Sequence, residues 1–98
     1  FYYSSDERLK QGVEALANSN DIVYSLRPVS FIWSASGSKD YGLIAQEVKE
    51  ILPEAINENE QGYLTINSST IMAHLIKVIQ TQNERITTLE QKIFGDLR

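Results

Sequence analysis

Residues 69–94 contain neither glycine nor proline, and this run constrains the fold more than any other feature of the chain. Asn67, Ser68 and Ser69 open it. Each carries a side-chain oxygen of the kind that accepts a hydrogen bond from an orphan N–H in a helix's first turn. The pattern predicts one helix about 37 Å long, too long to be covered by the rest of a 98-residue chain. Its apolar positions fall into heptads. Met72, Ile79, Ile86 and Ile93 take position a, and Leu75, Gln82 and Leu89 take position d. So narrow a stripe suits a seam between helices better than a broad core-facing surface. The plainer alternative is one amphipathic helix packed on its own domain. Near the helix start the stripe widens with Ile76 and Val78, so the first turns are expected to pack on a globular part.

The heptads specify a parallel oligomer without specifying the number of chains. Isoleucine at a with leucine at d leans to two strands, and the polar Gln82 at a d position blurs that preference. Arg85 falls at g and Glu90 at the following e, a pair suited to bridging neighbouring parallel chains.

The preceding residues read as a small α+β unit. Leu9, Val13, Leu16 and Ala17 have helical spacing, which predicts a short N-terminal helix over residues 6–18. Ser4 and Glu7 would form its capping box, Gly12 lies inside it, and residues 18–21 are its exit. After Pro28, the alternation of Val29, Phe31 and Trp33 with Ser30, Ile32 and Ser34 predicts a strand. Residues 36–40 read as a turn and 41–44 as the returning strand. Residues 45–52 predict a short helix stopped by Pro53. Residues 55–56 and 63–66 flank a polar turn and predict a second hairpin. Phe31, Trp33 and Leu43 are assigned to the core.

Composition narrows the function classes. The net charge is −4 and the nine lysines and arginines are scattered, which argues against a nucleic-acid surface. With no cysteine and one histidine, no disulfide, thiolate or zinc chemistry is expected, and no cofactor is implied. No apolar run approaches the roughly 20 residues of a membrane span. The chain starts at Phe1 without methionine, so it is expected to be a piece of a longer protein. His74, inside the long helix, reads as a packed or surface histidine rather than a general base.

Four segments, in order, carry a resemblance. They are Ser5-Asp6-Glu7-Arg8-Leu9-Lys10, then Leu26-Arg27-Pro28-Val29-Ser30-Phe31-Ile32-Trp33, then Gly42-Leu43-Ile44-Ala45-Gln46-Glu47-Val48 with Leu52-Pro53-Glu54, and finally Tyr63 with the helical tail. Together they resemble the C-terminal intramolecular chaperone domain of phage tail fibres, tailspikes and neck appendages, a self-cleaving serine peptidase family. The resemblance runs from Ser5 to about Ile93. It implies residues 1–4 as the end of an upstream fibre or spike region. Residues 5–98 are then the chaperone domain, with a globular part over 5–66 and a three-stranded coiled coil over 67–94. It implies a homotrimer whose other partner is the upstream domain of the same polypeptide. The implied setting is the bacterial host cytoplasm during virion assembly, with the released domain absent from the mature virion. The rival reading is a non-catalytic coiled-coil trimerisation module.

The resemblance also implies a serine–lysine dyad, with Ser5 as nucleophile, Lys10 as base and the scissile bond between Ser4 and Ser5. A serine hydroxyl needs a base to take its proton. A lysine serves as that base only where desolvation or nearby positive charge lowers its pKa from about 10.4. Arg8 is a candidate source of such charge. Asp6 and Gln46 are candidates to stabilise the oxyanion, and Gln46 and Glu47 to support the cleavage site or a subunit contact. Read alone, Ser4, Ser5 and Asp6 are ordinary helix-start residues and Lys10 a solvated lysine. A spacing of five turns through about 500° on a regular helix, so the two side chains would not share a face. The dyad therefore requires Ser5 outside the helix, or Lys10 from a neighbouring chain.

Overall fold

Asn67 caps the long helix as its position predicts. Its Oδ1 accepts from the N–H of Ser69 at 3.0 Å and its carbonyl accepts from Thr70 at 3.2 Å, opening α3 (Ser68–Gly95). At 28 residues, α3 is about 42 Å long. The computed structural model describes residues 2–95. Its radius of gyration is 18.3 Å and its extents are 62 × 39 × 27 Å, against about 13 Å for a compact chain of this size. The excess radius comes from α3. Its first half carries the body, and every residue from Asn83 to Gly95 is exposed.

The core is small and sits where α2 (Ala45–Ile51) meets the start of α3. Val48, Leu52, Ala55 and Ile71 are buried there, with Ile22, Leu26, Leu43, Ile51, Ile56 and Ile66 packed around them. Pro53 disfavours helical geometry at Leu52, which lies at φ −142°, ψ 71°, so α2 stops and a single 3-10 turn (Pro53–Ala55) follows. The carbonyl of Ala55 then accepts from the Asn67 N–H at 2.7 Å, which ties this turn to the entrance of α3. Between them runs the hairpin of β3 (Ile56–Glu58) and β4 (Leu64–Ile66), registered Ile56 to Ile66 so that both side chains face the core. Asn59 shapes its turn by accepting from the N–H groups of Gln61 and Tyr63 through Oδ1, at 3.0 and 2.9 Å. Gly62 supplies the positive φ of 85° that the turn needs.

A second hairpin joins β1 (Val29–Ile32) to β2 (Lys39–Gly42), registered Val29 to Gly42 and Ile32 to Lys39. The returning strand thus starts two residues earlier than the alternation predicts, and the turn is correspondingly tighter. Trp33 does not enter the core. It is 53% exposed at the hairpin tip, edge-on to Phe31 at 4.9 Å, and its Nε1–H donates to Asp40 at 3.1 Å. An indole that keeps a polar partner and one wet face loses less by staying outside a core this small. Phe31 and Leu43 are half-buried.

The predicted N-terminal helix over residues 6–18 does not form. One 3-10 turn (Glu7–Leu9) is followed by irregular chain with Gly12 at φ +65°. Asp6, not Ser4, caps that turn. Helical spacing alone does not hold a helix that has no surface to pack on, and Leu9 and Val13 remain exposed. The helix begins instead where an exit was expected. After Asn18 in the left-handed conformation at φ 60°, α1 (Ser19–Ser25) lies against α3. Ser19 Oγ and His74 Nδ1 meet there at 2.8 Å, both buried, with Val78 buried one turn further on. Ile76, expected on the same face, is 52% exposed.

Candidate functional site

Asp6 creates the local geometry of the N-terminal segment. Its Oδ1 accepts from the Arg8 N–H at 2.8 Å, and its carboxylate takes the Arg8 guanidinium in two bonds of 3.0 and 2.9 Å. Its carbonyl accepts from Leu9 at 3.0 Å, and the Lys10 N–H donates to Glu7 at 3.0 Å. The chain therefore makes one tight turn between two extended residues, Asp6 at ψ 135° and Lys10 at ψ 152°. Ser5 lies just before the turn and Lys10 just after it. Lys10 Nζ donates to Ser5 Oγ at 2.6 Å. The spacing of five, which separates two side chains on a regular helix, brings them together across a 3-10 turn with extended flanks.

The charges around this pair differ from expectation. Arg8 does not offer free positive charge to Lys10, because Asp6 neutralises it at 2.9 Å. The Arg8 side-chain hydrogen bond, reinforced by the Arg8 backbone N–H, holds the Asp6 carboxyl below the ordinary aspartate range, and Arg8 is raised in turn. An ionised carboxylate only accepts hydrogen bonds, so Asp6 is not an oxyanion donor. Its structural work is to hold the turn. Gln46 is exposed on α2. Glu47 is bound by Arg27 in two contacts of 3.0 and 2.5 Å, which links α2 to the segment before β1. The Arg27 side-chain hydrogen bond lowers the Glu47 carboxyl, and Glu47 raises Arg27. Every residue from Tyr2 to Asn18 is exposed in the single chain, the Ser5–Lys10 pair included.

The heptad stripe is a second candidate surface. Ile71, His74 and Val78 turn toward the body, while Met72, Leu75, Ile79, Ile86, Leu89 and Ile93 remain exposed, Ile79 at 65%. These residues sit beside the buried face rather than within it. Gln82 is the exception at its d position, since its Nε2 donates to the hydroxyl of Tyr24 on α1. The sequence contained the signal for this contact, a polar residue interrupting an apolar register, but nothing that pointed to Tyr24. Likewise, nothing in the spacing paired Ser19 with His74, 55 residues apart. No helix among the described residues is long and apolar enough to cross a membrane.

The chain thus combines a small body, a projecting helix with an exposed apolar stripe, and an exposed hydroxyl–amine pair. The comparisons give the family. Residues 5–57, more than half of the chain, match a peptidase family described as chaperone of endosialidase, and the chain belongs to that family. It is 36% identical over 103 residues to the long tail fiber protein Gp37 of Enterobacteria phage Ox2, covering 95% of this chain and 41% of that protein. It is 31% identical over 101 residues to the Gp37 of Enterobacteria phage K3, covering 94% of this chain and 8% of that protein. The chain thus spans less than half the length of these fibre proteins.

Proposed function

We propose that this chain is a C-terminal intramolecular chaperone that trimerises through α3, templates the folding of an upstream fibre region, and then cuts itself free between Ser4 and Ser5. The observation that carries the reading is the 2.6 Å contact between Ser5 Oγ and Lys10 Nζ. The family match opening at Ser5 supports the same boundary. In the reaction, neutral Lys10 takes the Ser5 hydroxyl proton and Oγ attacks the Ser4 carbonyl carbon. The Ser4–Ser5 C–N bond breaks as the proton passes to the departing Ser5 nitrogen, leaving an ester between the Ser4 acyl group and Ser5 Oγ. Water then hydrolyses the ester. For that step the hydrogen bond runs the other way from the one observed: the Ser5 hydroxyl donates to the lone pair of a deprotonated Lys10 Nζ, across the same 2.6 Å contact. Activating Lys10 requires desolvation, and the exposure of the pair in one chain favours a site completed by neighbouring chains or by the upstream region.

The chaperone role has a physical rationale. Three-chain, β-rich fibres fold through non-local pairing that is slow to nucleate, and a trimerising module raises the local concentration of the chains. Removing it leaves a kinetically stable product. Cleavage belongs to virion assembly in the host cytoplasm, with the released domain left out of the mature virion. The uncovered seam equally suits a trimerisation module without peptidase activity, and one experiment separates the two. The chain is expressed with its natural upstream segment as wild type, Ser5→Ala and Lys10→Ala, and intact masses are read. Wild type is expected to split before Ser5 while both variants stay whole. If all three stay whole yet assemble, the peptidase reading fails and the non-catalytic module stands.

A further inference from the structure

In a parallel coiled coil, the g side chain of one helix lies beside the e side chain of its neighbour five positions on. Two such couples in α3 are informative. Arg85 at g meets Glu90 at e, opposite charges on exposed residues. Near the start of the helix, Ile71 at g meets Ile76 at e. Ile71 is buried by its own body, and next to it opens an apolar hollow of about 640 Å³. Val23, Leu26, Val29, Leu43, Ile71 and Leu75 line it. Leu75 belongs to the hollow and to the d seam at once, so the two surfaces are continuous. Ile76 sits about 140° around the helix from Ile71, on the far edge of the seam, and is 52% exposed. It therefore cannot fill its own chain's hollow, but the g–e register carries it to the neighbour's.

We propose that Ile76 of each copy docks into the hollow of the adjacent copy, so that seam and bodies form one interface. This rests on the parallel oligomer proposed above. The charge match of Arg85 with Glu90 in the same register commits the occupant to a second copy of this chain. Such docking fixes the orientation of each body against the coil, which a helical seam alone leaves free.

The chain contains no cysteine, which allows a clean disulfide test. Ser30 and Tyr41 line the hollow and are exposed, so replacing them spares the core. Ile76→Cys is combined in turn with Ser30→Cys and Tyr41→Cys, and Ile86→Cys alone reports the seam. After mild oxidation, the seam variant and at least one double variant are expected to run as covalent oligomers on a non-reducing gel, and Ser30→Cys alone as monomer. If the seam variant links and neither double variant does, this inference fails and the coil remains. If the seam variant does not link and wild type is monomeric by light scattering, the coil fails and this inference with it. Independently, Ile76→Glu is expected to weaken assembly at least tenfold by sedimentation, with Gln80→Glu, at an outward b position, unchanged. Equal effects of the two substitutions would also overturn the proposal.

Discussion

Asp6 is the residue on which the candidate site turns. It reads in the sequence as one of several helix-start residues, and its role comes from closing a single turn rather than starting a helix. Its carboxyl is held below the ordinary value of 3.8 by Arg8. A group lowered on folding contributes above its unfolded pKa, and that contribution disappears as pH falls through the folded pKa. The clamp is therefore complete at neutral pH and is released only in acid below about pH 3.8. Any change in cleavage rate between pH 6 and 9 is then not due to Asp6. Asp6→Asn removes the charge that grips Arg8 and loosens the approach of Ser5 to Lys10. Cleavage is expected to slow about tenfold through lost positioning, with only a small fall in melting temperature because the pair is exposed. Densitometry of a cleavage time course measures the first and calorimetry the second.

Among the elements, the docking of α1 on α3 is the least expected feature and the most open to test. Seven residues are too few for a helix to persist alone. What holds α1 is tertiary: the buried Ser19–His74 hydrogen bond, with Ile22 against the core and Val78 buried on α3. Ser19→Ala leaves a buried imidazole nitrogen without its partner. The expected cost is about 2 kcal/mol, a fall in melting temperature on the order of 10 °C for a domain of this size, measurable by thermal circular dichroism. In the core, Leu52→Ala is expected to cost about 3 kcal/mol, because Leu52 is fully buried and the small core has little to collapse into the gap. Chemical denaturation measures it. Elements whose signals are local were legible in the sequence. Pro53 stops α2, Asn67 caps α3, and both hairpins lie within two residues of expectation. The helix over residues 6–18 was misread because periodicity shows which face could be buried, not whether anything is there to bury it.

For the whole molecule, the decisive feature is the mismatch between a small body and a long helix. The heptad stripe leaves Met72, Ile79, Ile86 and Ile93 in water in a single chain, and the proposed oligomer would cover that continuous apolar stripe. Assembly makes stability depend on concentration. Wild type is therefore expected to melt higher at higher chain concentration. Ile79→Lys, which places a charge in the middle of the seam, is expected to give a monomer by light scattering and to remove that dependence. If the site is completed only in the oligomer, Ile79→Lys also stops cleavage of the longer protein. A monomer that cuts at the wild-type rate would rule out completion by neighbouring chains.

The sequence by itself determined the long helix, its heptad register, the two hairpins, the short α2 and the pairing of Ser5 with Lys10 through family resemblance. All but the last rest on signals confined to a few neighbouring residues or repeated at a fixed period, and the last rests on motifs spread along nearly the whole chain. Only the tertiary structure decided that Ser5 and Lys10 approach across a 3-10 turn, that Asp6 neutralises Arg8, that Trp33 stays outside and that α1 begins at Ser19. The first two follow from the conformation of one short turn and the third from a contact across a hairpin, but the start of α1 depends on α3, and a surface 55 residues away leaves no mark on local spacing. That is also why His74 could be read only as packed or surface, without Ser19 being named as its partner.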